Sequence, residues 1–223
     1  MSEPGAPTAV VLEVRHETRY DYAAPVSVAH HLAHLKPLDD AFQQLEAFAL
    51  EIEPDPGAPI EQRDSFGNAV HRFSFVAPHA DLVVRARSRV RVTPRVQGLE
   101  PAAAPPWEAL RDRLRYVARA PFDPAVEFVQ PSPYVPRLEA LRAWAAPSFP
   151  PAAPVAVGAL DLMHRLHAEF RYRARSTEVD TPLAEAFERR TGVCQDFAHV
   201  LVGALRMLGL PARYVSGYLL TQG

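Results

Sequence analysis

Apolar and charged residues alternate through the N-terminal part of the chain. Between Val10 and Tyr22, the residues Val10, Leu12, Val14, His16, Thr18, Tyr20 and Tyr22 fall on one side, and Glu13, Arg15, Glu17, Arg19 and Asp21 on the other. That period of two predicts a half-buried antiparallel strand, with His16 a structural side chain rather than a ligand. Leu82 to Thr93 repeats the pattern more sharply: Leu82, Val84, Ala86, Ser88, Val90 and Val92 oppose Arg85, Arg87, Arg89 and Arg91. Phe42 to Glu53 reads as another strand, because Phe48, Leu50 and Ile52 alternate with Ala49, Glu51 and Glu53 before Pro54 and Pro56 end the run. Val26 to Leu38 is read as a strand too. Asp64 to Asn68 (D-S-F-G-N) is read as a turn, since Gly67 and Asn68 tolerate positive φ. Together these segments predict an antiparallel β-sandwich over residues 1–95.

The period changes after Pro101. Trp107, Leu110, Leu114 and Val117 share one helical face over Trp107–Arg119. A second short helix is expected over Arg137–Ala145. A third is expected over Val155–Phe170, with Leu160, Met163, Leu166 and Phe170 inward. Thr181 and Pro182 start a fourth that runs to Arg190, threonine capping and proline in the first turn. Prolines crowd the stretch from Pro101 to Pro154, so residues 96–153 are expected to be a rigid connecting region with short helices. Residues 154–223 make the last part. Within it Phe197, Val200, Leu201, Ala204, Leu205 and Leu208 recur at helical spacing, and Gly209 and Pro211 stop the helix. Arg213–Leu220 is expected to be a strand packed after that helix. The fold class is therefore α+β.

Composition narrows the function. Of 223 residues, 48% are hydrophobic and 22% charged, with a formal net charge of −2. This is ordinary for a soluble globular protein and gives no electrostatic footprint for nucleic acid or an anionic membrane. The four-arginine stripe is accordingly expected to pair with Glu13, Glu17, Glu51 and Glu53 on neighbouring strands. No run approaches the ~18 apolar residues of a membrane span, and the N-terminus lacks the regions of a signal peptide, so a cytoplasmic location is expected. His30, His31 and His34 lie close together without a fourth ligand at useful spacing, and His164 and His167 lack the H-E-x-x-H pattern. No metal is expected.

Cys194 is the single cysteine, which excludes an internal disulfide and an all-cysteine zinc site. It falls in the first turn of the last predicted helix, after the cap-type residues Thr191 and Gly192. There the macrodipole and backbone N–H groups favour a thiolate and can donate to a developing oxyanion, as acyl transfer requires. On spacing alone, a buried structural cysteine is the competing reading.

The motifs decide between them. G-V-C-Q-D-F-A-H (192–199) and G-L-P-A-R-Y-V-S-G-Y (209–218), with F-R-Y (170–172) and T-P-L-A-E-A-F (181–187) before them, resemble the core of bacterial transglutaminase-like proteins. The D-S-F-G-N turn and its strands resemble the β-rich N-terminal domain that commonly precedes that core. The resemblance implies an N-terminal sandwich followed by part of a papain-like core, helices first and then its first strand. It implies Cys194 as nucleophile, forming a thioester acyl-enzyme from a protein or peptide substrate that water or an amine then resolves. Gln195 and Asp196 beside it are implied to shape the site or substrate approach. No cofactor is implied. One departure stands out: the family's histidine and aspartate lie on strands downstream of the cysteine helix, whereas here no histidine follows His199 and no aspartate follows Asp196. The chain is therefore expected to be a C-terminally truncated copy, inactive alone. A protein-binding module with a decayed core, or a thiol hydrolase acting on cell-wall or glycopeptide material, are the alternatives.

Overall fold

The computed structural model describes residues 9–95, 98–174 and 181–220. The stretch 1–8, on which the signal-peptide reading partly rests, lies outside them. The chain divides into two compact units, Met1–Gly98 and Leu99–Gly223.

Six strands build the first unit: β1 (Val10–Val26), β2 (Ala29–Ala33), β3 (Gln43–Glu53), β4 (Ile60–Arg63), β5 (Ala69–Phe75) and β6 (His79–Val92). They form two three-stranded antiparallel sheets, ordered β1-β6-β3 and β2-β5-β4. Phe73 and Phe75 of β5 meet Leu82 and Val84 of β6, with Leu50 and Ile52 of β3 against them. The alternating apolar residues thus face a shared layer between the sheets, as a sandwich requires. The strand expected over Val26–Leu38 is broken: Val26 still pairs with His79 in β1, and β2 covers only Ala29–Ala33.

The outward arginines of β6 pair with acids on both flanking strands. Arg85 reaches Glu17 at 2.6 Å and Glu53 at 2.8 Å, Arg87 lies 3.7 Å from Glu51, and Arg89 lies 3.8 Å from Glu13. Glu46 takes Arg89 at 2.8 Å and Arg91 at 2.5 Å. The register shifts between Leu45 and Ala47, and this bulge turns Glu46 onto the arginine face, which strict alternation does not foresee. The histidines of β2 and its flank go separate ways. His30 Nδ1 lies 2.7 Å from Ser74 Oγ, His31 stacks on Phe73 at 5.1 Å, and His34 lies 3.9 Å from Asp64.

The second unit is helical: α1 (Trp107–Arg113), α2 (Glu139–Ala145), α3 (Val155–Glu169), α4 (Leu183–Arg189) and α5 (Cys194–Met207). Leu141 and Trp144 of α2, Leu162 and Leu166 of α3, Phe187 of α4 and Val200 and Ala204 of α5 form its core, with Val135 and Phe149 from the loops. The proline-rich stretch is therefore part of this packing. No helix among the described residues is long and apolar enough to cross a membrane.

Four expectations are corrected. Helix α1 ends at Arg113 instead of Arg119, because Val117 at 62% exposure and Tyr116 at 93% find nothing to pack on. Helix α3 buries Gly158, Leu162 and Leu166, while Leu160 and Met163 are exposed. Its buried stripe runs at four-residue spacing because Gly158 leaves room for Phe149, whose ring lies 2.5 Å from where a Cβ would sit. The N-cap of α4 is Pro182, one residue later than the expected Thr181, and the proline itself supplies no side-chain cap. Arg213–Leu220 forms no strand, since no partner among the described residues offers it a hydrogen-bonding ladder.

Candidate active site

The cysteine helix opens from a short parallel pairing of β7 (Arg171–Tyr172) with β8 (Thr191–Gly192). Thr191 and Gly192 are thus strand residues, and the N-cap is Val193. Valine has no polar side chain to cap with. The cap is supplied from the other direction: the Val193 N–H donates to Asp196 Oδ2 at 2.8 Å, the acidic half of a capping box. Asp196 is buried, and its carboxyl fills the space above Gly192, where a Cβ would stand 2.6 Å from Oδ2. Glycine is needed there for close approach.

Cys194 is the first residue of α5 and is exposed. The first helical bond runs from Phe197 N–H to Val193 O at 3.2 Å, so the sulfur stands at the turn whose N–H groups have no acceptor within the helix. Gln195 follows it, half-buried. The opposite face of α5 is sunk in the core through Val200, Val202 and Ala204. Gly203 brings it against α2 and α4, with Leu141 Cδ1 2.8 Å and Leu183 Cδ2 3.3 Å from a built Cβ. A sulfur at the exposed mouth of a helix anchored this way can reach a carbonyl carbon from outside and hold the resulting oxyanion with main-chain donors.

Of the three polar residues expected here, Cys194 and Gln195 face outward or partly outward, whereas Asp196 turns inward and shapes the loop. His199, further along α5, packs between Tyr134 at 6.0 Å and Tyr214 at 5.5 Å. Burial pushes its pKa below 6.5, Asp196 opposing and Arg206 assisting. His164 and His167 are exposed on α3. The hollow lined by Val135, Arg137, Gly203, Arg206 and Met207 lies along the C-terminal half of α5 and is not lined by Cys194.

A cluster that the sequence did not reveal stands immediately before the loop. Arg190 ends α4 in the left-handed conformation, φ 50° and ψ 33°, a position helices ordinarily give to glycine. Its guanidinium lies over Phe187 at 4.1 Å, Phe170 at 4.7 Å and Trp144 at 5.5 Å. Glu169 Oε2 sits 3.5 Å from Arg190 and accepts the Trp144 indole N–H at 2.7 Å. Arg165 closes the group by donating to Trp144 O at 2.8 Å and Ser148 Oγ at 3.1 Å.

Comparison with known proteins gives these features a setting. Residues 12–91 match the family described as the bacterial transglutaminase-like N-terminal region, and residues 143–223 match the transglutaminase-like superfamily core. An uncharacterized protein of Mycobacterium tuberculosis is 37% identical over 210 residues, 93% of this chain and 65% of its own. One of Mycobacterium leprae is 31% identical over 212 residues, covering 93% and 71%. The chain thus spans about 65% of the length of the first of these relatives. A crystal structure of a candidate cysteine protease from Cytophaga hutchinsonii superposes with a TM-score of 0.68 at 19% identity, covering 92% of this chain and 65% of that one. At that identity the likeness is one of fold.

Proposed function

Because the chain belongs to the transglutaminase-like superfamily, we propose that Cys194 is an acyl-transfer nucleophile acting on a peptide or amide carbonyl. The observation that carries this reading is the placement of the exposed sulfur as the first residue of α5, with Asp196 securing the turn. The sulfur attacks the carbonyl carbon and a C–S bond forms. The C–N bond then breaks, and the amine leaves with a proton. Water or a second amine attacks the thioester, the C–S bond breaks and the sulfur is regenerated. Main-chain N–H groups of the opening turn stabilise the tetrahedral oxyanion.

Proton movement needs a base, and the sequence has no histidine after His199 and no aspartate after Asp196. The His199 ring is taken up between two tyrosines. These residues by themselves are accordingly proposed to turn over an amide slowly or not at all. Acylation alone is the stage to test. With p-nitrophenyl acetate, the folded chain gains a single acetyl on Cys194, seen by mass spectrometry. It does so about tenfold faster than the denaturant-unfolded chain, the factor that one charge-assisted hydrogen bond of ~1.5 kcal/mol supplies. C194A gains none. Equal rates in the folded and unfolded chain refute the reading and leave the protein-binding alternative.

A further inference from the structure

Between Arg190, the C-cap of α4, and Cys194 lie only Thr191, Gly192 and Val193. Each end of that span is held by a different device. At the helix end, Asp196 accepts the Val193 N–H and occupies the space above Gly192. Along the middle, the Arg171 N–H of β7 donates to the carbonyl of Arg190 at 2.9 Å, and the N–H of Arg173, just after β7, donates to that of Gly192 at 3.0 Å. At the far end, the Arg190 side chain is enclosed by three aromatic rings and faces Glu169, while its Nη1 is buried without a hydrogen bond. The rings come from α2, α4 and the end of α3, so one guanidinium ties three elements to the start of the cysteine loop.

The choice of residue is informative. Glycine or asparagine would adopt φ 50° with less strain, so stability of the helix stop does not explain an arginine here. Backbone strain held by surrounding packing next to a reactive group is the pattern of a preorganised site. A flat, delocalised cation is what a three-ring enclosure selects; an ammonium ion lacks the surface to stack on each ring.

We infer that Arg190 is a positioning residue for Cys194: its aromatic enclosure sets the path of residues 191–193 and so the presentation of the sulfur at the mouth of α5. The inference rests on the proposed role of Cys194, but its test needs no substrate. The rate of Cys194 alkylation by iodoacetamide is followed against pH in the intact chain, below the unfolding temperature, with near-UV circular dichroism verifying the tryptophan environment. R190G, which suits the backbone but empties the enclosure, is expected to alkylate about fivefold or more slowly, with an altered pH profile. R190K is expected to fall between the two. W144F, which keeps the arginine but replaces the indole with a smaller ring that lacks the N–H bond to Glu169, is expected to shift the rate in the same direction. Rates within twofold of the parent in folded variants, with only the melting temperature lowered, overturn the inference and leave Arg190 a stabilising residue. A slowed alkylation without any acyl adduct from p-nitrophenyl acetate upholds the positioning and rejects the acyl-transfer chemistry.

Discussion

Asp196 shows how a residue chosen for one reason serves another. An acid beside the sulfur suggests contact with substrate, and the first-turn dipole suggests a simple electrostatic preference. The structure turns the carboxyl inward, where it caps Val193 and packs over Gly192. D196A is therefore expected to cost about 1 kcal/mol, the usual worth of a helix cap, read from the urea midpoint by tryptophan fluorescence. D196N, which keeps an acceptor oxygen, should retain most of that stability. The position of Cys194 at the start of α5 was legible because a lone cysteine preceded an apolar helical stripe, whereas its reading as a nucleophile came from the motif resemblance. The surroundings of the sulfur were not legible. Capping preferences point to Ser, Thr, Asp or Asn at the cap, and here a valine takes that place with help from three residues on. Nor does any local rule put an arginine in a left-handed helix stop, since its enclosure is assembled from residues as distant as Trp144.

Helices were legible where burial repeats over several turns, as in α5, and less so where they are short. Trp107–Arg119 has the right spacing, but spacing cannot tell that Val117 faces water. Strands were legible where an alternating run has a partner to pair with, as β1 and β3 do on either side of β6. The alternation at Arg213–Leu220 is real in the sequence, yet a strand exists only through a ladder with another. A close joint between helices is Gly203, where α5 meets α2 and α4. Leu141 is fully buried and its Cδ1 would lie 2.8 Å from an added Cβ. G203A should thus cost about 1–3 kcal/mol through overpacking, despite alanine's better helix propensity. Thermal unfolding followed by circular dichroism checks this. An unchanged or raised midpoint would show that Leu141 can move aside.

At the scale of the whole molecule, each unit carries an imidazole whose pKa lies below its ordinary 6.5: His31, through burial and the nearby His79 and His30, and His199, through burial with Arg206 assisting and Asp196 opposing. In each case the unfolded chain binds the proton more readily than the folded one. Stability is fully present above pH 6.5 and falls as the pH drops through that value toward the folded pKa. Urea midpoints should accordingly decline between about pH 7 and pH 5. Both tryptophans, Trp107 and Trp144, are in the second unit, so fluorescence isolates the His199 contribution, and H199F should flatten it. Amide hydrogen exchange of β2 and β5 reports His31 in the same way, with H31F as the control. The arginine face of β6 has a separate consequence. Arg85 is tethered to one acid on β1 and another on β3, and Arg89 likewise. Losing the acids of either edge strand leaves both guanidinium groups a remaining counterion, so the face has redundancy, and single charge reversals at Glu13 or Glu17 should be tolerated where one at Glu46, shared by two arginines, is not.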